Sequence, residues 1–320
     1  MAPESADVII GVDVCKDRLD LFEYHSERAY SISNDAVTIK TWLDRLPGQA
    51  KLAMEPTNRY HLGLAEAAYT RGHEVYLIDP YRLSHYRAGL GRRAKTDAQD
   101  AQLLARFLER EIGELRAWEP MDPGQQRFWQ LLKRRAALVR CKVQLNQSLV
   151  GLGLLQEDAE ALVKQCEQMI GKLDRALLKQ ARELGWAEWI GRCQAIPGVG
   201  PLTSMALVAS WCRGRFRSAD AFIAFLGLDV RVKQSGRWQG RCKLTKKGDG
   251  EVRRLLYNAA MQGRRSPQWE PYYLRLRGRG MSSTAALVAL SRKLAKVSFA
   301  LLRTDARFVP AACENACVTT

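Results

Sequence analysis

Hydrophobic periodicity divides the first 115 residues into short elements. Val8-Ile9-Ile10-Gly11-Val12-Asp13-Val14 is a nearly continuous, β-branched apolar run. It predicts a buried strand in which Asp13 is the one charged member. Residues 19–24 alternate apolar and polar, so a second strand hairpins onto the first, and residues 29–32 suit a third. Asn34 is placed to cap a helix that reaches Leu46 and stops at Pro47-Gly48. Residues 51–55 predict a strand ending at Glu55-Pro56-Thr57, residues 59–71 a helix stopped by Gly72, and residues 74–78 a strand ending at Asp79-Pro80. Thr96 with Gln99 three residues later has the form of a capping box. Apolar positions 101, 103, 104, 107 and 108 then repeat with a helical period. Three antiparallel strands followed by alternating helix and strand predict a mixed sheet with helices.

Beyond position 115 the period is helical. Leu131, Leu138, Leu145 and Leu152 recur every seven residues among Arg and Lys, and Leu162, Cys166, Met169, Leu173 and Leu177 follow at spacings of three or four. Both stripes predict long helices, packed either antiparallel in one core or as a coiled coil between chains. Ala195-Ile196-Pro197-Gly198-Val199-Gly200-Pro201 before an Ala-rich apolar run predicts a helix-hairpin-helix-like motif. Another helix opens at about residues 216–220 and ends near Gly227-Leu228. The expected fold class is α/β plus all-α. A mixed sheet with helices spans 1–115, a helical coiled-coil linker and oligomerisation element 116–190, a mostly helical domain 191–304, and a disordered tail 305–320.

Charge adds what the pattern omits. Lys plus Arg is 50 against 34 for Asp plus Glu, a net charge of +16. Residues 231–303 hold 18 basic and three acidic residues, nearly the whole excess. A solvated basic face is the ordinary explanation; this concentration favours a polyanion, and a phosphate backbone above others. The eight cysteines are scattered without a Cys-x-x-Cys, and the four histidines all lie in the first third, so zinc is not expected and reduced cytoplasmic thiols are. No apolar run is long enough to span a bilayer, and no signal-peptide pattern is visible at the N-terminus.

Candidate chemistry then falls into two groups. Asp97 and Asp100 lie i and i+3 in a first helical turn, where acids ordinarily complement the helix dipole. Asp13 is ordinary as a strand-end oddity and Glu55 as a turn residue. Together, spread over these elements, the four carboxylates form a hard-oxygen set suited to Mg²⁺, with Mn²⁺ as an alternative. Two-metal phosphoryl transfer uses such a set. The order Asp, Glu, Asp-x-x-Asp resembles the ribonuclease-H-like core of the RuvC-type resolvases. The second group centres on Ser235, a turn residue by its Gly neighbour. Lys233, Arg237, Lys243, Lys246, Lys247, Arg253 and Arg254 surround it in sequence. No histidine lies within 145 residues, so a hydrolase triad is unsupported. A serine among such cations can attack a phosphodiester while they stabilise the oxyanion. Arg92, Arg93 and Lys95 form a second basic run. Gly198 and Gly200 let backbone N–H groups approach a phosphate.

The motifs Met54-Glu55-Pro56-Thr57-Asn58-Arg59-Tyr60, Lys95-Thr96-Asp97-Ala98-Gln99-Asp100-Ala101, Ile196-Pro197-Gly198-Val199-Gly200, Phe225-Leu226-Gly227-Leu228, Gln234-Ser235-Gly236 and Lys246-Lys247-Gly248, with the Asp13 strand and Arg253-Arg254-Leu255, resemble one family over nearly the whole chain. It is the insertion-sequence 110 family of transposases, bridge-RNA-guided serine recombinases whose relatives include site-specific DNA invertases. The resemblance implies a RuvC-like domain holding Mg²⁺ through Asp13, Glu55, Asp97 and Asp100. It implies a covalent phosphoserine link between Ser235 and DNA, and a structured guide RNA that pairs with target and donor DNA. A dimer or tetramer in the bacterial cytoplasm, associated with the nucleoid and not with a membrane, completes the expectation. One departure stands out: after Gly-Leu such proteins often have Pro, where this chain has Asp229. Two other readings fit the same residues. One is a metal-dependent, Holliday-junction-type endonuclease in which water attacks and Ser235 is a turn residue. The other is a nucleic-acid-binding protein whose carboxylates cap helices.

Overall fold

The computed structural model describes residues 8–90, 97–149, 151, 153–231, 234–235, 238–239, 243–304 and 306–309, with the backbone alone at 97, 98, 231, 234, 235, 238, 239 and 243. The chain forms two compact units, Met1–Pro120 and Met121–Thr320.

In the first unit the order is β1 (Val8–Val14), β2 (Arg18–Glu23), β3 (Arg28–Ser33), α1 (Ala36–Leu43), β4 (Ala50–Met54), α2 (Leu62–Thr70), β5 (Glu74–Leu77), α3 (Pro80–Gly89) and α4 (Asp97–Glu111). The five strands form one sheet in the order β3-β2-β1-β4-β5. β1, β2 and β3 are antiparallel neighbours, whereas β4 and β5 run parallel to β1. This is the mixed sheet that the periodicity predicts. Period-two alternation sorts β1 between two cores. Ile10, Val12 and Val14 pack with Ile39, Trp42 and Leu64 on one face. Ile9 packs with Leu83, Ala101, Leu104 and Leu108 on the other. Each large side chain buried there contributes roughly 1.5–3 kcal/mol.

Local chemistry revises several boundaries. Asp35, not Asn34, caps α1, its carboxylate accepting from the Val37 and Thr38 N–H groups at 3.0 and 2.9 Å. Those bonds, the one from Thr38 foremost, hold Asp35 below the usual carboxylate range. α1 stops at Leu43, three residues before the expected end. α2 starts at Leu62 rather than Arg59, since residues 58–61 form turns, with Asn58 at a φ of 47° and the Leu62 N–H donating to the Arg59 carbonyl at 3.2 Å. Thr96, the expected cap of α4, lies outside the described residues.

The second unit contains α5 (Pro123–Ser148), α6 (Gln156–Glu183), α7 (Ala187–Gln194), α8 (Pro201–Trp211), α9 (Ala219–Phe225), β6 (Val230–Arg231), β7 (Gln234–Ser235), β8 (Trp238–Gln239), β9 (Lys243–Leu244), α10 (Gly250–Gly263), α11 (Glu270–Gly278) and α12 (Ser283–Thr304). α5 packs on α6 within the chain. Arg135 pairs with Asp174, and Lys142 with Glu167 at 3.1 Å. Phe128, Trp129 and Leu132 of α5 and Leu177 of α6 are buried in the same core as α8, α10 and α12. Leu162 and Met169 remain 47% and 50% exposed, so the α6 stripe is only partly consumed by intrachain packing. No helix among the described residues is long and apolar enough to cross a membrane.

Candidate active site: an acidic row and a serine arm

Register builds the first site. Asp13 of β1 stands opposite Asp20 of β2, which stands opposite Ser31 of β3. On the other side β4 runs parallel with Val12 beside Met54, so Glu55, the next residue, continues the row next to Asp13. Directly opposed residues share a sheet face. Ser31, Asp20, Asp13 and Glu55 therefore lie in one row across four strands, on the face covered by α4. Asp13 and Glu55 are half-buried and Asp20 is buried.

α4 reaches that face because Gly11 lets it. A Cβ at Gly11 would stand 1.9 Å from the Ala101 carbonyl oxygen and 2.5 Å from the Ala105 nitrogen. Both are backbone atoms of α4, so only a glycine permits the approach. Gly11 is two residues from Asp13 on the same face. The turn of α4 preceding Ala101 carries Asp97 and Asp100. Asp100 is buried and accepts from Arg87 Nη2 of α3 at 2.7 Å. Asp97 is the first helical residue, and its side chain lies outside the described set.

Asn34 joins the two strand ends that carry Asp13 and Glu55. Its amide donates to the Cys15 carbonyl at 2.8 Å and to the Tyr60 carbonyl at 3.2 Å. His61, buried just beyond, is held below the usual histidine range by burial. Asp20, Arg87 and Asn34 are the residues that sequence reasoning missed. Asp20 sits at an alternating position of a strand and looked like any solvent-facing polar residue; only the register with Asp13 reveals it.

The donor set is all carboxylate, which suits a hard divalent cation and not a soft one. Among the described residues no three His, Cys, Asp or Glu side chains gather as a metal site requires. The described carboxylates are tied elsewhere in part, Asp20 to Arg18 and Ser31 and Asp100 to Arg87. The donor chemistry suits a hard divalent cation, although the described carboxylates do not converge on one point, and the Asp97 side chain lies outside the described residues.

Ser235 lies in the second unit, in β7, opposite Trp238 of β8. Outside that pair, Val230 and Arg231 of β6 pair with Leu244 and Lys243 of β9. Among the described residues the β7–β8 pair is thus nested in sequence between β6 and β9, with Ser235 in the inner pair. Asp229 closes the base. Its carbonyl accepts from the Thr245 N–H at 3.1 Å, and its carboxylate accepts from the Thr245 hydroxyl. The aspartate that departs from the expected proline thus has a structural role that proline could not fill. Arg253 braces the same base, donating to the Leu226 carbonyl at 3.4 Å and to the Gly248 carbonyl.

The basic candidates divide by where their charge is used. Arg253 is spent on those carbonyls. Arg254 forms a bidentate pair with the buried Glu251 at 2.8 and 2.6 Å, because a buried carboxylate needs a counter-charge. Lys246 and Lys247 are exposed. Lys243 is in β9, described by its backbone only. Arg92, Arg93, Lys95, Lys233 and Arg237 lie outside the described residues. Gly198 has φ +92°, and a Cβ there would meet the Ala259 carbonyl at 2.5 Å, so its missing side chain makes room for α10. The neighbouring Pro197 carbonyl accepts from Trp269 Nε1 at 3.0 Å. Gly200 is the N-cap of α8, with open space around it.

Comparisons with known proteins agree with this architecture. A family model described as transposase, the DEDD type of the IS110 family, matches residues 10–157. A second, described as the transposase IS116/IS110/IS902 family, matches residues 192–274. The pilin gene-inverting protein of Moraxella lacunata is 25% identical over 315 residues, covering 93% of this chain and 97% of its own length. Its counterpart in Moraxella bovis is 26% identical over the same shares. A probable family 20 transposase of Pseudomonas aeruginosa is 27% identical over 304 residues, 81% of this chain and 86% of its own. With one model spanning the acidic row, the other spanning the serine, and both of one family, the chain belongs to the IS110 family of transposases.

Proposed function

We propose that this protein is a site-specific DNA recombinase that cuts and rejoins DNA through a covalent link to Ser235, with Mg²⁺ held by Asp13, Glu55, Asp97 and Asp100. The observation that carries the reading is the row across the sheet: Asp13 and Glu55 side by side, under a helix whose first turn supplies Asp97 and Asp100. A bound divalent ion would supply Lewis-acid polarisation and neutralise charge on the phosphate. In cleavage the Ser235 oxygen forms a bond to phosphorus as one bridging P–O bond of DNA breaks. The hydroxyl proton leaves the serine, and the departing deoxyribose oxygen takes one up. In rejoining, a DNA hydroxyl attacks the phosphoserine and restores the serine hydroxyl, so the number of phosphodiesters is unchanged. Lys243, Lys246 and Lys247 are the cations assigned to the phosphate backbone, with Arg92, Arg93, Lys95, Lys233, Arg237 and the N–H groups about Gly198 and Gly200. Arg253 braces the base of the serine arm instead, and Arg254 is paired with Glu251 of its own helix.

Target and donor DNA are the substrates, and the motifs shared with the family support a structured guide RNA as the specificity element. An oligomer of this chain is supported by the exposed Leu162 and Met169. The inverting activity in the name of the Moraxella relatives supports recombination over simple hydrolysis. The test incubates protein, RNA transcribed from the flank of its gene, cleavable duplex DNA and Mg²⁺, and resolves the products on a denaturing gel. A protein–DNA adduct that disappears in EDTA and in Ser235→Ala supports the recombinase. Cut DNA without an adduct supports a structure-specific nuclease, and tight binding with neither product a binding protein.

A further inference from the structure

We propose that Arg213 binds a phosphate of the DNA backbone beside the base of the serine arm, its guanidinium held by the rings of Trp129 and Phe225. The proposal rests on DNA being attached at Ser235. Arg213 follows α8, in the stretch Arg213-Gly214-Arg215-Phe216-Arg217, which holds three exposed arginines and no acid. Its Cζ lies 5.5 Å from the centre of the Trp129 ring of α5 and 5.8 Å from that of the Phe225 ring of α9. Both distances are within the range of cation–π attraction. The Phe225 ring is itself held, edge-on to Phe216 at 5.2 Å. The Trp129 indole N–H is buried and has no acceptor among the described residues. Phenylalanine would spare that cost. What tryptophan adds is the strongest cation-binding face.

Arg213 differs from the neighbouring arginines in having no internal acceptor. Arg253 donates to the Leu226 and Gly248 carbonyls, and Arg254 to Glu251. Among the described residues the Arg213 guanidinium makes no hydrogen bond or ion pair. The carboxylate whose charge acts on it, Asp249, instead accepts from the Glu251 and Val252 N–H groups at 2.8 and 3.4 Å as the cap of α10. Attraction to ring faces consumes none of the five N–H donors, whose fork matches phosphate oxygens. A guanidinium already held by two rings also has less freedom to lose on binding. Its place beside the serine arm follows from Phe225. A Cβ at Gly248 would stand 2.3 Å from the Phe225 carbonyl oxygen, so the backbone at Phe225 lies against the turn Lys246-Lys247-Gly248 that follows β9. DNA attached at Ser235 carries its flanking phosphates past the arm, which favours DNA over RNA as the occupant. Arg213 is thus the substrate-contacting residue, and Trp129 and Phe225 are positioning residues.

The test measures binding of full-length protein to a short duplex DNA and to a single-stranded RNA of the same length, each across a salt series, with the Ser235 adduct assayed in parallel. Arg213→Gln keeps most of the stem and removes the charge. It should lower the log–log salt slope on the duplex by about 0.9, one phosphate contact, and leave the slope on RNA at its wild-type value. Arg213→Lys should restore the slope, since the charge returns. Phe225→Leu leaves every charge in place. It should keep the slope and weaken duplex binding by about two- to fivefold, the loss of one ring face. A wild-type duplex slope in Arg213→Gln overturns the assignment even if the melting temperature falls, since a residue that merely covers two rings changes stability alone. A slope lowered on RNA as well as on the duplex overturns the commitment to DNA. Where Arg213→Gln does not fold, Phe225→Leu decides, and wild-type duplex affinity in that variant overturns the proposal. The adduct separates these results from the reading beneath them. If wild type forms no adduct at Ser235 while Arg213→Gln lowers the duplex slope, the phosphate contact stands and the serine reading falls.

Discussion

The two units place their candidate chemistry by opposite means. In the first, four residues from four strands are aligned by sheet register, and Gly11 sets the height of the helix above them. A one-residue slip of any strand would send its carboxylate to the opposite face, so the arrangement is held by every ladder bond of the sheet. In the second, Ser235 lies in a two-residue strand pair within the span of β6 and β9, and among the described residues the base of that outer pair is fastened by the Thr245 hydroxyl donating to Asp229 and by Arg253 donating to two carbonyls. A group that must hold a cation benefits from rigid, redundant support.

The largest expected effect is on the rigid side. Asp13→Ala, Asp97→Ala or Asp100→Ala should reduce cleavage by about 100-fold or more while DNA binding persists, and EDTA should mimic them. Full cleavage in EDTA would remove the metal from the account. Next comes Gly11→Ala, in which one methyl group meets the backbone of α4. Overpacking of this kind costs about 1–3 kcal/mol, and denaturant unfolding of the variant should show it together with lost cleavage. A variant as stable and active as wild type would mean that α4 is not seated on β1 as described.

On the serine side the contrast is sharpened by separating bracing from binding. Replacing Lys246 and Lys247 with Ala should lower the salt slope on duplex DNA by about 0.9 for each phosphate neutralised. Arg253→Ala should leave the slope alone and reduce adduct formation, because its guanidinium is bonded to the Leu226 and Gly248 carbonyls. A slope that falls with Arg253→Ala and not with the lysines would reverse these roles. The smallest effect is in the sheet. His73 Nδ1 accepts from the Ala50 N–H at 3.1 Å, and burial, then the charge of Arg71, holds the imidazole below its usual value. A depressed histidine favours the neutral form in the folded state, while the unfolded chain takes up a proton below about pH 6.5. Its contribution is therefore complete above that pH and declines as pH falls. The urea midpoint of wild type should drop more between pH 8 and pH 5 than that of His73→Gln.

Much of the first unit was legible because strands that bury one face alternate, and an aspartate inside an apolar run is conspicuous. Asp13, Glu55 and the Asp97–Asp100 pair all stood out in this way. Asp20 did not, since its meaning lies in what stands opposite it, and register is not written in a single strand. The same limit explains Asn34. It has the composition of a helix cap, yet its amide bridges Cys15 and Tyr60, partners distant in sequence. Arg253 and Arg254 read as part of a basic face because charge is visible in a sequence and its internal partners are not. The heptad leucines suit an intrachain and an interchain partner alike, and only the tertiary structure pairs α5 with α6 of its own chain.

The central claim is that the acidic row and Ser235 serve one covalent reaction, and the site of DNA attachment tests it most directly. Protein trapped on cleaved DNA in Mg²⁺ would be digested and its DNA-linked peptide sequenced by mass spectrometry, for wild type and for Asp13→Ala. The account predicts a single phosphodiester link at Ser235 in the wild type and no linked peptide from Asp13→Ala. A link at Thr245 or any other residue, or an undiminished yield from Asp13→Ala, would contradict it.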